Sequence, residues 1–413
     1  MRRSLAAVAL ALLFGAGTAS AAPSAQLEFW TISLQPLFTS YMQRTIARYG
    51  QLHPDVSVRW IDVQPQAVDQ KLLASIAGGV PPDVVNLNTE SILRMAEVHA
   101  LADTDAAVAS DVQARYFPNI WASLRYQGRS YGIPWYVVPD VLAYNRGLFQ
   151  RAGLDPAHPP ATTTAFADAA VQIKQRTGVY GFMPNVDGIR LLAVFQEEGL
   201  PVLSADRKHA LFAGPAYVAL LSRYVDLYRR GMFPDDTLQH GYLGATERYA
   251  GGQLGMLTTG PQFLLRVKTD SPGVYGDTLV APAPLGAGHV LNLPTMALAV
   301  PAAGRHRDQA VAFALYMTDD ENQLAFDRQV VIFPSTRRAA ADPFFTRGGD
   351  SPEDRARVIA ARELGIARDL TVVVPHSDEL FRAFRDAVES AFYGRTTPAQ
   401  ALAEAAREWD ARL

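Results

Sequence analysis

The chain has 413 residues, 38 Lys and Arg against 41 Asp and Glu, a formal net charge of −3, and no cysteine. Without cysteine there can be no disulfide, thiolate metal site, Cys nucleophile or lipid-modified Cys, and the balanced charge leaves no basic stripe for nucleic acid. A chain of this length, folding without cross-links, must rely on burial, and it has enough residues for two lobes.

Met1, Arg2 and Arg3 precede an apolar run over 5–14 and small residues through Ala22, which predicts a secretory signal ending near Ala21 (residues 1–21) and an exported, cell-envelope protein. The apolar run is too short for a bilayer span, and every later one is broken by charge, Gly or Pro. Residues 27–30 read as a strand, and Leu37, Tyr41, Ile46 and Tyr49 keep a helical spacing. His53, Pro54 and Asp55 form a turn before an alternating strand at Val56, Val58 and Trp60. A helix over 68–77 stops at Gly78 and Gly79, and a strand follows over 84–87. This alternation predicts a doubly wound α/β sheet. Ligands in such sheets lie beyond the carboxyl ends of the strands, where Trp30, Thr31, Gln64, Asn88 and Glu90 fall.

Gln127-Gly128 predicts a hairpin turn. Further on, a helix is expected over 164–177 and a strand and loop over 180–184. The helix over 215–230 should bury a face of Ala216, Leu220, Tyr224, Leu227 and Tyr228. Strand text recurs at 255–257, 278–282 and 297–300. Thr318 to Glu321 and Thr397 to Gln400 read as capping boxes, the second opening a terminal helix with Leu402, Ala405 and Trp409 on one face. Trp60, Trp121 and Trp409 are assigned to packing. No repeat or low-complexity linker separates two domains, as expected of a chain that passes between lobes several times.

Several segments taken in order carry a family likeness: FWT (29–31), HPDVSV (53–58), QKLLASIAGGVPPDVVNLN (70–88), YQGRSYGIPWYVVPDVLAYNRGLFQRAGL (126–154), LGMLTTGPQ (254–262), TDDENQLAF (318–326) and FPSTRRA (333–339). On these the chain resembles the family 1 extracellular solute-binding proteins of ABC importers, the group that includes maltose-binding protein. The resemblance implies two α/β lobes of the type II periplasmic-binding-protein kind, joined by three crossings and closing on ligand about a hinge. It divides the chain into a first lobe of 22–138 and 285–333 and a second of 139–284 and 334–413, with hinge strands over 134–142 and 281–285. It further implies a monomer that captures a small molecule, a carbohydrate first of all, and delivers it to ABC permease transmembrane subunits, with no catalysis and no cofactor.

A sugar offers C–H faces to aromatic rings and hydroxyls to carboxylates, amides and Arg. Trp30, Trp135, Tyr136 and Phe381 are the expected platforms; Asn88, Glu90, Asp140, Asp187 and Arg190 are the expected hydroxyl partners. Gln262 stands where relatives often carry the Trp of a Gly-Pro-Trp motif, and Asn292 where they carry a Gly-Gly turn. These departures favour a short sugar over a long stacked one. Glycerol-phosphate, polyamine and metal-chelate ligands are the alternatives within this transport role. A secreted glycosidase is the rival from another class, but its obvious acid pairs, Glu197-Glu198, Asp235-Asp236 and Asp319-Asp320, are adjacent in sequence and read as solvated loops or helix starts. No nucleophile elbow, phosphate loop or helical zinc pair is present.

Overall fold

The computed structural model describes residues 25–186 and 189–413; the expected signal segment lies outside them, as does Asp187. In chain order the elements that build the site are β1 (Ala25–Ile32), α1 (Thr39–Leu52), β2 (Val56–Val63), α2 (Val68–Ala77), β3 (Val84–Asn88), α3 (Thr89–Glu97), β4 (Ile133–Val137) and β5 (Val141–Asn145). Then come α4 (Thr163–Thr177), α5 (Ile189–Glu197), α6 (Pro215–Arg229), β6 (Met256–Thr259), β7 (Thr278–Pro282), β8 (Leu291–Asn292) and β9 (Thr295–Ala299). The chain ends with α7 (Asp320–Asp327), β10 (Phe333–Pro334), α8 (Pro352–Glu363), β11 (Ala367–Arg368), α9 (Ser377–Phe392) and α10 (Pro398–Asp410).

The first lobe is a six-stranded sheet of order β10-β4-β9-β3-β1-β2. β1 lies parallel between β2 and β3, while β9 and β10 run antiparallel to their neighbours. Alternation along β1 sends Leu27 and Phe29 to one face, with Tyr49 and Phe313, and Trp30 to the other, with Leu72 and Ile92. Both faces are covered, as in a doubly wound sheet.

The second lobe holds a three-stranded sheet, β6-β5-β7, in which β5 is antiparallel to both partners. Beside it α5, α6, α9 and α10 surround a core of Phe195, Leu221, Phe384 and Trp409. Trp409 donates its indole N–H to the Leu380 carbonyl at 2.9 Å, so this buried ring is satisfied. β4 leaves the first sheet at Val137 and β5 enters the second at Val141, with 138–140 between them. A second passage runs from β7 through β8 to β9, where β8 pairs with β11.

Most sequence expectations hold to within a few residues. α2 begins and ends where expected, and Gln127 and Gly128 both take positive φ, 49° and 82°, as a type I′ turn requires. Thr397 and Gln400 form a reciprocal capping box. The other box moves by one residue: Asp319 caps α7 by accepting from the Asn322 N–H, while the Thr318 hydroxyl turns back to the Ala314 carbonyl. Helix α6 departs from expectation more usefully. Its buried residues are Tyr217, Leu221, Val225 and Leu227; of the expected core stripe, Leu220, Tyr224 and Tyr228 pack at the margin of the core, Leu220, Tyr224 and Leu227 also border an open cavity, and Ala216 is exposed.

Candidate ligand-binding site

Between the two sheets lies a cavity of about 540 Å³. The first lobe supplies Phe38, Tyr136, Met296 and Phe326 to its wall; the second supplies Phe166, Phe182, Tyr224, Phe233 and Tyr242. Tyr136 and Met296 are cross-strand partners at the ends of β4 and β9, so the sheet itself aims both at the cavity. The phenols of Tyr224 and Tyr242 are each pushed up to about 12, chiefly by burial; carboxylates at Glu197 and Glu198 add to the shift of Tyr224. Both are therefore neutral hydroxyls at physiological pH. Tyr242 shares a 2.6 Å hydrogen bond with the Thr259 hydroxyl.

The polar end is organised by Arg190. Its Nη2 lies 3.4 Å from Asp140, in the passage between β4 and β5, and 3.8 Å from Glu197, at the end of α5. Glu197 also accepts from the Asn292 backbone N–H at 3.3 Å, which ties in the second passage. Burial pushes the pKa values of Asp140 and Glu197 above the usual carboxylate range; the Arg190 guanidinium only partly offsets this, and Asp140 adds to the effect on Glu197. With Glu198 and Arg223 also lining the cavity, acidic groups outnumber basic ones there.

Two amide oxygens await a donor. Gln262 and Asn185 both line the cavity, and Gln262 Oε1 and Asn185 Oδ1 are buried with no protein partner. Leaving such an atom unpaired costs about 1–3 kcal/mol. Gly260 holds Gln262 in place: a Cβ there would meet the Gln262 amide at 2.2 Å and Val138 at 2.3 Å. A smaller, polar compartment of about 280 Å³ adjoins, sharing Asn185, Arg190 and Pro294 with the main cavity. Asn88, Glu90, Asn292 and Asp369 line it. Asn88 caps α3, and Asn292 Oδ1 accepts from the Leu370 N–H at 3.1 Å.

Of the residues expected from sequence, Tyr136, Asp140, Arg190 and Gln262 meet in the main cavity, and Asn88, Glu90 and Asn292 join Arg190 in the polar compartment. Five are placed elsewhere. Trp30 is a core ring on the α2 side of the sheet, donating to Glu28 at 2.7 Å beneath the Lys71 ammonium. Thr31 is buried and bonds Asp62, whose carboxylate also holds the backbone N–H groups of Leu34 and Gln35, so it shapes the cavity wall only through Leu34. Gln64 is exposed on a loop away from either compartment. Trp135 is fully buried, stacked on Phe326 at 5.2 Å; the strand register shifts beside it, so it packs into the same core that Tyr136 touches, and of the two rings only Tyr136 lines the cavity. Phe381 packs against Trp409 in the helical core, 4% exposed. Glu197 and Glu198, expected to be solvated, instead line the main cavity. Phe166, Tyr224, Phe233 and Asn185 carried no distinguishing signal; each sits in an ordinary amphipathic helix or loop.

The geometry is that of a receptor cleft, and the sequence comparisons agree. The family model for bacterial extracellular solute-binding protein matches residues 33–324, more than half of the chain. The chain belongs to the bacterial extracellular solute-binding proteins. Among solved structures in this fold, one from Synechococcus sp. MITs9220, provisionally designated an oligosaccharide periplasmic-binding protein and determined with zinc, is 31% identical; its TM-score is 0.86, covering 93% of this chain and 98% of that one. An uncharacterized lipoprotein of Streptomyces antibioticus is 25% identical over 82% of this chain and 77% of its own length. The mannitol-binding protein of Pseudomonas aeruginosa is 23% identical over 73% of this chain and 74% of its own. As in type II solute-binding proteins generally, the cleft here is walled by both lobes, with its charged end beside the strands that connect them.

Proposed function

We propose that this protein is the solute receptor of an ABC import system, binding a small carbohydrate between its lobes and presenting it to a membrane permease. The observation that carries the reading is the cavity itself: aromatic rings on both walls for the C–H faces of a sugar, and Asp140, Arg190, Glu197, Asn185 and Gln262 at one end for its hydroxyls. The names of the mannitol-binding relative and of the Synechococcus structure support the same ligand class. A phosphate ester fits less well, because Arg190 is already engaged by two carboxylates and the lining is net acidic.

The proposed lobes are 22–138 with 285–333, and 139–284 with 334–413, rotating about 138–140 and the passage after β7. The third boundary falls somewhat later than 334 on this view, since Thr336 still bridges to Tyr116 of the first lobe. No catalysis is proposed: the Asp140 and Glu197 carboxylates flank one guanidinium rather than a free gap for substrate and water. Thermal-shift and calorimetric titration with mono- and disaccharides, sugar alcohols, polyamines and phosphate esters test the reading. Stabilisation by sugars or sugar alcohols is expected; a response confined to amines or phosphates overturns it.

A further inference from the structure

The main cavity is not uniformly polar. Beyond Arg190 it extends into the second lobe between α4 and α6, where its wall is Phe166, Phe182, Leu220, Leu227 and Phe233. Two separate apolar clusters of that lobe, one on α4 and β5 and the other on α5, α6, α9 and α10, are joined there by a line of rings, Phe166, Phe182, Phe233 and Tyr224, that borders the cavity. Protein interiors normally close such gaps to near-crystalline density, because apolar groups facing empty space or water forfeit contacts on that side. Here α6 keeps an apolar stripe of Leu220, Tyr224 and Leu227 facing the opening, in addition to the stripe that packs in its core. The two helices are bridged at the cavity's edge by Asp168 and Arg223, 3.7 Å apart. Tyr224 marks the border: its ring lines the apolar part, while its hydroxyl feels Glu197 and Glu198 of the polar end.

We propose that the ligand is a glycoside whose sugar faces Arg190 and its carboxylates and whose apolar aglycone, alkyl or aryl, fills the chamber between α4 and α6. A bare sugar would leave this chamber wet or empty, whereas an apolar group of several carbons matches its lining. The inference rests on the carbohydrate reading above but is separable from it.

Calorimetry with methyl, n-hexyl and phenyl glycosides of glucose, galactose and mannose separates the two. For the sugar that binds, the hexyl or phenyl glycoside is expected to bind at least about tenfold tighter than the methyl glycoside, given that each buried methylene contributes about fourfold. Ala167→Trp on α4 and Leu220→Trp on α6 each fill the chamber from one side. Each is expected to abolish that gain while leaving methyl glycoside affinity within about twofold, which also shows that the variant is folded. Equal affinities of methyl and hexyl glycosides in the unmodified protein overturn the inference and leave the carbohydrate reading standing. If no glycoside binds, the neutral dye N-phenyl-1-naphthylamine serves as an apolar probe. Saturable fluorescence, weakened about tenfold in both variants, then overturns the carbohydrate reading and supports an apolar occupant of the chamber; no saturable signal overturns both.

Discussion

At Arg190 one guanidinium holds two partly buried carboxylates from different parts of the chain. Removing it leaves Asp140 and Glu197 partly buried beside each other without a cation, which favours their protonation. Arg190→Met is therefore expected to weaken sugar binding at least tenfold by calorimetry, and to lower Tm more at pH 8 than at pH 5. Two other acids sharpen the pH argument. Glu363 is 8% exposed, accepts from the Ala283 N–H at 3.2 Å, has its second oxygen unpaired, and is pushed up to about 8 by burial. Asp327 is buried with neither oxygen paired, and burial raises it well above its usual range. A carboxyl whose folded pKa lies above its unfolded one favours folding most at low pH, and that contribution is lost as pH rises through the folded value. For Glu363 the window runs from about 4.5 to about 8. Glu363→Gln is expected to raise Tm at pH 9 and to change it little at pH 5; an equal effect at both would mean that the carboxyl does not titrate in this window.

Among the elements, the termini and stripes were legible to different degrees. α2, the Gln127-Gly128 turn and the Thr397 cap depend on nearest neighbours along the chain, and local chemistry suffices to place them. Thr397→Ala should cost about 1 kcal/mol in chemical denaturation by uncapping α10. The candidate site was half legible for a physical reason. Tyr136 and Asp140 lie where a passage between lobes must run, and Arg190 follows the loop after 180–184, but Trp30 and Trp135 are large rings on buried strands, and nothing local tells a ring in a core from a ring in a cleft. The Glu197-Glu198 pair misled similarly, since only the approach of Arg190 and Asn292 from elsewhere makes its surroundings a site. Helix α6 shows the limit clearly: one helix carries two apolar stripes, and the sequence does not say which of them faces a neighbour. Gly260 illustrates the reverse case, a residue chosen for what it lacks. Gly260→Ala is expected to displace Gln262 and weaken binding, with calorimetry and Tm read together to separate that loss from unfolding.

For the whole molecule, an antiparallel three-stranded sheet with its helices and a six-stranded sheet meet across one cavity, linked by short passages. If these lobes close as proposed, small-angle scattering should show a smaller radius of gyration on adding the sugar that raises Tm; an unchanged radius at saturation would speak against closure. The passage between β4 and β5 is three residues long, and the last of them is Asp140. A rigid rotation moves each atom in proportion to its distance from the pivot. If the lobes turn about 138–140 as proposed, groups beside that passage keep nearly the same spacing in open and closed forms, while groups further out on the facing walls travel further. The end of a solute resting on Asp140 and Arg190 would be gripped at first encounter, and its far end would be judged only as the walls arrive.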